Sequence, residues 1–149
     1  MFDLDKFLES TTTEALSTKM SPIPAAEYTA IIEDVSKPRV AGERVVMDVT
    51  FKLMDVSAEV AKNIGRQNFT VKKGYFLDLN ASGLLDHGQG KNVDLGRLRE
   101  ALGQNAPGKT WRPADLKGAG PVKVQVTLRP DKNSPDVIYN DIRSVAKAA

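Results

Sequence analysis

The sequence predicts a mainly β protein, a closed barrel of five strands with one helix between the third and the fourth. Three observations carry this expectation. Residues 44–54 alternate: Val45, Met47, Val49, Phe51 and Leu53 fall on one side, and Arg44, Asp48, Thr50 and Lys52 on the other. A strand with one dry and one wet face has that pattern. Val122, Val124, Val126 and Leu128 alternate in the same way with Lys123, Gln125, Thr127 and Arg129. Between the two lies a leucine stripe at helical spacing, Leu95, Leu98 and Leu102.

In chain order, Leu4, Phe7 and Leu8 form a short apolar stripe at helical spacing, and Thr11 with Glu14 matches a capping box. This acidic leader reads either as a terminal helix or as a Phe-containing peptide that contacts partners. Pro22 and Pro24 mark a linker, since each removes an amide donor and extends the residue before it. Residues 1–26 are therefore an acidic segment with a proline-containing linker, and residues 27–149 the barrel domain. Residues 27–35, rich in β-branched and aromatic side chains, are the first strand. Residues 36–43 are a loop punctuated by Pro38 and Gly42, and residues 44–54 the second strand. Ser57 and Gly65 suit the ends of a one- or two-turn helix. Residues 67–79 are the third strand, where Lys73 on the apolar side suggests a bulge near Gly74. A glycine-rich connection leads to the helix over 93–102, with Asn92 or Asp94 as its cap. Residues 121–129 and 136–145 are the last two strands. Three strands, a helix and two strands follow the plan of the OB-fold. That barrel binds oligonucleotides on its second and third strands and on the loops after strands one and four. Here those loops are residues 36–43 and 130–135.

Composition narrows the function classes. The chain has 149 residues, 41% hydrophobic and 27% charged, which suits one soluble domain. It lacks cysteine, so disulfides and thiolate metal sites are excluded and a reducing compartment fits. No apolar run reaches membrane-spanning length, so no membrane partner is expected. The acidic start argues against a secretory or transit signal. Residues 1–20 carry Lys6 and Lys19 against Asp3, Asp5, Glu9 and Glu14, net −2; the remainder carries +4 of a +2 total. A mildly basic body is compatible with nucleic acid, although such an excess is also ordinary scatter.

The strongest constellation is cationic and aromatic. Lys37 and Arg39 lie in the first loop, Arg44 and Lys52 on the wet side of strand two, and Lys72 and Phe76 on the wet side of strand three. Lys123 and Arg129 belong to strand four and Lys132 to the turn after it. Single-stranded DNA binding without sequence preference needs cations along the phosphates and aromatic faces for stacking. Phe76 is the best stacking candidate; Trp111, Tyr28 and Tyr139 are weaker. Taken singly, each of these residues is better explained by a solvated lysine or a buried aromatic; it is the set, on an OB-fold, that favours binding. Gly88, Gly90 and Lys91 precede a helix, where amides attract phosphate, but Leu85 and Asn92 stand where a P-loop needs glycine and a hydroxyl. The glycines read as a turn, with Lys91 a phosphate contact. Asp78, Asp86 and His87 are too few and too scattered for a metal-dependent nuclease. No catalytic group and no cofactor is expected.

The run Gly74-Tyr75-Phe76-Leu77-Asp78-Leu79, then Gly83-Leu84-Leu85-Asp86, then residues 88–103 (Gly-Gln-Gly-Lys-Asn-Val-Asp-Leu-Gly-Arg-Leu-Arg-Glu-Ala-Leu-Gly) resembles a family of small bacteriophage and prophage proteins. The resemblance continues weakly through Trp111, Leu116-Lys117-Gly118 and Val122-Lys123-Val124. It implies an OB-fold single-stranded DNA-binding protein, non-enzymatic, acting in phage replication or recombination in the cytoplasm of a bacterial host. Its partners would be single-stranded DNA and replication or recombination proteins, with self-association open. The alternative expectation is a structural or assembly module of a phage particle, using an exposed Val46, Met54 and Phe76 patch for protein contacts.

Overall fold

The computed structural model describes residues 3–16 and 21–148. Its strands are β1 (Ala26–Val35), β2 (Arg39–Ala41), β3 (Arg44–Leu53), β4 (Thr70–Leu77), β5 (Val122–Pro130) and β6 (Ile138–Lys147). Two α-helices, α1 (Ala58–Ile64) and α2 (Val93–Ala101), interrupt them. All six strands belong to one antiparallel sheet. β1 pairs with β3 on one side and β5 on the other, β5 pairs with β6, and β3 also pairs with β2 and β4.

Three expectations are corrected. The sheet has six strands, not five. Pro38 cannot donate to a ladder, so the first strand stops at Val35, and the chain resumes pairing as β2, opposite residues 44–46 of β3. β1 and β2 therefore lie along the same edge of β3, with β4 along its other edge. The sheet also does not close into a barrel. β4 and β6 lie side by side without a hydrogen-bonded ladder. A hollow lined by the charged side chains of Lys73, Asp94, Arg97 and Arg143 sits where the seam would be. Helix placement differs as well. The leucine-striped helix α2 falls between the fourth and fifth strands, and α1 lies between the third and fourth. The Ser57 hydroxyl accepts the Val60 amide at the start of α1, and Gly65 ends that helix at φ 80.

Alternation sets the core. Ala30 and Ile32 of β1, Met47, Val49 and Phe51 of β3, Val71 and Tyr75 of β4, and Val122, Val124 and Val126 of β5 point into one cluster. Leu95, Leu98 and Ala101 of α2 and Leu116 complete it. Ile23, ahead of β1, is buried, and Asn140 on β6 brackets its backbone with bonds of 2.9 and 3.0 Å. No bulge forms near Gly74: the β3–β4 register runs unbroken from Val45–Leu77 to Lys52–Thr70. Lys73 keeps its inward position because its long stem carries the ammonium back to the open seam, 5.3 Å from the Tyr75 ring centre. The extra residues sit instead at Glu33 and Arg143, where the β1–β3 and β5–β6 registers shift. The run before β5 is tight against β1. Gly118 and Ala119 exchange backbone bonds with Ile32, and a Cβ on Gly120 would lie 3.0 Å from the Ile31 Cα.

The leader is a 3-10 helix over Leu4–Glu9 with every side chain exposed. The expected capping box at Thr11 is not built; the Glu14 amide bonds the Thr12 hydroxyl instead. Residues 17–20, in the stretch after it, lie outside the described residues. No helix among the described residues is long and apolar enough to cross a membrane.

Candidate nucleic-acid interface

Because side chains alternate along a strand, the even positions of β3 and β4 form a surface facing away from the core. Arg44, Val46, Asp48, Thr50 and Lys52 share it with Thr70, Lys72, Gly74 and Phe76. Five of the residues proposed from sequence come together here: Arg39, Arg44, Lys52, Lys72 and Phe76. At strand rise, the row from Lys52 to Arg44 is about 26 Å long.

At one end the Arg44 guanidinium lies 4.0 Å from the centre of the Phe76 ring, which is 49% exposed. Their neighbour Val46 is only 3% exposed. It stands between Arg39 and Phe76 in a cross-strand row. Its Cγ1 lies 3.1 Å from where a side chain on Gly74 would begin. Glycine thus lets a valine sink into the outer face, and Val46 drops out of the exposed patch expected of it; Met54 remains exposed.

The cations are not equivalent. Arg39 is held by Asp48 through Nε at 2.9 Å and Nη2 at 3.3 Å. That bond keeps the Asp48 carboxyl below its ordinary range, with Lys72 adding a weaker pull. Asp48 is the sole acidic residue of β2, β3 and β4. Arg44, Lys52 and Lys72 make no ion pair among the described residues; Arg44 lies against the exposed ring, and Lys72, in the field of Asp48, and Lys52 follow farther along the row. Lys91 lines a shallow hollow with Arg44, Leu77 and Asp78, next to this end of the face.

The other proposed residues lie elsewhere. Lys123 projects from β5 and donates to the Thr29 hydroxyl at 2.8 Å. Arg129 is bound to Asp141 at 2.6 Å and lies 5.3 Å from the Tyr139 ring centre. With Lys132, in the exposed β5–β6 turn, it sits off the start of β1; Arg39 and Arg44 lie off its end. Tyr28 is buried and donates to the Pro24 carbonyl. Trp111 lies away from the strand face: it packs on the core and its indole N–H donates to Gln104 at 2.9 Å.

Asp78 and Asp86 do structural work in the glycine-rich connection. Asn92 sits at the cap position of α2 but makes no side-chain cap bond there. Its side chain instead accepts from the Asp78 amide and donates to the carbonyls of Asp78 and Asp86. The Asp78 carboxylate takes the Asn92 amide at 2.9 Å. Among the described residues no group of three or more His, Asp or Glu side chains is placed to hold a metal.

A cleft of about 640 Å³ is the feature that sequence reasoning missed. Four separate segments wall it: the loop after β1, the end of β4 with residues 79–87, helix α2, and residues 109–117. Its floor is apolar, with Met47, Leu77, Leu95 and Trp111, and its rim carries Lys37, Lys109 and Lys117. Lys37 and Trp111 therefore share this cleft rather than the strand face. The only sequence signal was an unexplained surplus of apolar residues, Leu84 and Leu85, in a glycine-rich loop.

No protein-family model and no curated protein sequence matches the chain.

Proposed function

We propose that the outer face of β2, β3 and β4 binds single-stranded DNA without strong sequence preference, and that the sheet is an OB-type unit whose edge strands lie together unpaired. The observation that carries the reading is the half-exposed Phe76 ring stacked with Arg44 at the end of a row holding Lys52 and Lys72. A base stacks on an exposed ring while the cations track the phosphates on either side. The strand order β4-β3-β1-β5-β6, with α2 between β4 and β5, supports the OB assignment. The resemblance to phage proteins favours a role in replication or recombination, without catalysis.

The test is fluorescence anisotropy of a labelled dT oligonucleotide at two salt concentrations, with duplex as competitor. Salt-sensitive binding that duplex does not displace is expected. Absence of binding at low salt overturns the proposal. It would then favour the second reading, an assembly module using the same face, for which exposed Met54 and Phe76 are the motive. That reading expects salt-insensitive association lost on Phe76→Ala.

A further inference from the structure

Apolar side chains and cations meet in the cleft, whose volume of about 640 Å³ falls within the range of ligand sites. One of its walls is a tied turn. Leu79 and Leu85 form a backbone bridge, the Asn80 amide donates to the Leu84 carbonyl at 2.7 Å, and the Gly83 amide donates to the Asn80 carbonyl at 2.9 Å. That turn holds Leu84 at 65% exposure and Leu79 at 37%, beside the half-buried Leu77 and Trp111. Exposed apolar side chains grouped at a cleft mark a contact surface, and fixing them beforehand lowers the ordering cost of taking a partner.

The charges are one-sided. Among the described residues Asp34 is the only acidic one lining the cleft, and Lys117 holds it at 3.7 Å. Lys37, Arg99 and Lys109 line it too and make no ion pair among the described residues. Each comes from a different wall: the loop after β1, helix α2 and residues 109–117. Arg99 is half-buried, lies 4.1 Å from the Trp111 ring centre, and gives two donors to one neutral acceptor, the Gln104 carbonyl. Desolvation lowers its pKa from the ordinary value, as it does for a cation set among apolar groups without a counter-ion.

This layout selects the occupant. A nucleobase brings polar edges that an aliphatic floor would leave unpaired. An acyl chain with one anionic head suits the floor but meets only one of three cations on separate walls. An extended peptide with carboxylates around its apolar side chains meets both the floor and the rim. The chain's own leader has that character, but every side chain of Leu4–Glu9 stands in solvent. We infer that the cleft docks an acidic segment of a partner protein, with an aromatic and a leucine side chain on Leu77, Leu84 and Trp111 and carboxylates at Lys37, Arg99 and Lys109. This inference does not depend on nucleic-acid binding.

The test titrates the full chain with the peptide acetyl-Asp-Glu-Phe-Asp-Leu-Glu-amide at two salt concentrations, following emission of the single tryptophan, Trp111. The peptide lacks tryptophan, so the signal reports the cleft. Expected is a saturable shift whose midpoint rises with salt. Matched peptides with Asn and Gln for the acids, or with Ser for Phe and Leu, should leave the emission unmoved at the same concentrations. Lys109→Glu and Leu84→Ser should each raise the midpoint by about fivefold or more. Both side chains are exposed, so folding of the body is not at risk. Phe76→Ala should leave the midpoint unchanged. Absence of a saturable shift at low salt overturns the inference, as does a shift that the neutral peptide reproduces or that Lys109→Glu and Leu84→Ser leave as it was. A shift seen only in a Phe7→Ser/Leu8→Ser variant overturns it in favour of the leader of the same chain. A shift produced by dT and not by the peptide overturns it in favour of nucleic acid.

Discussion

Two cross-strand pairs of one chemical type sit off opposite ends of β1. Arg44 covers Phe76 at one end, and Arg129 lies against Tyr139 at the other. The aromatic rings are similarly exposed, 49% and 44%. The difference is a carboxylate. Asp141 holds Arg129 at 2.6 Å, whereas Arg44 has no ion-pair partner among the described residues. An arginine already bound to a carboxylate must give up that bond before it can take a phosphate; an arginine stacked on a ring keeps its donors pointing outward. Two sites that look alike in a list of basic and aromatic residues thus differ in readiness to bind an anion.

The comparison breaks most directly at the rings. Phe76→Ala should weaken dT binding by about 1–3 kcal/mol if the ring stacks on a base, and Tyr139→Ala by under about 0.5 kcal/mol, both read by anisotropy. Equal losses would show that the two ends work alike. Beneath Phe76 on the same strand, the buried Tyr75 hydroxyl has no hydrogen-bond partner among the described residues. Tyr75→Phe should therefore raise unfolding stability by about 1 kcal/mol in denaturant titrations while leaving dT affinity unchanged, which separates strand integrity from surface chemistry. Burial, with a smaller push from Asp94, raises the Tyr75 pKa above its ordinary value. The phenol keeps its proton longer when folded, so its burial carries no ionisation cost below about pH 10 and lowers stability increasingly above it. The alkaline loss of stability should shrink in Tyr75→Phe.

Charge changes sharpen the contrast with smaller effects. Lys72→Ala should reduce the slope of log affinity against log salt by about 0.7, and Asp48→Ala, by freeing Arg39, should increase it by about the same amount. Asp141→Ala should alter neither slope nor affinity appreciably if the far end stays out of the site. The smallest effect concerns acid stability. The Asp48 carboxyl is lowered by Arg39, so the pair contributes above the ordinary carboxylate value of about 3.9 and is lost as pH falls below it. The pair is largely solvent-screened, so Asp48→Asn should flatten the acid limb of thermal melts by only a few tenths of a kcal/mol.

Period-2 alternation reads out β3, β4 and β5 from sequence because each buries one face, β-branched and aromatic content reads out β1, and the leucine stripe reads out α2. β2 is not legible: three residues are too few to show a period, and Pro38 before them marks a loop. Nor is the state of the sheet seam, which depends on Lys73, Asp94, Arg97 and Arg143 meeting from three elements. Of the candidate site, the outward row of β3 and β4 follows from parity alone. Which cations are engaged does not, because Arg39 and Asp48 stand nine residues apart and Arg129 and Asp141 twelve. Val46 misleads because its burial depends on Gly74 of a neighbouring strand. The cleft is invisible because four distant segments supply its walls.

The arm formed by β2 and the start of β3 carries one more consequence, for how such a chain can change over generations. Beyond Val35 this arm pairs with β4 but no longer with β1, and it turns at Gly42, where φ is 64 and a side chain would meet nothing within 4 Å. Insertions or deletions of two residues in each strand would lengthen or shorten it in phase, leaving every inward residue of the core in register. A single inserted residue would turn Arg44 and Val45 about. Length variation among descendants of this sequence should therefore concentrate at this tip and come in even steps, changing the reach of the basic face without redesigning what lies beneath it.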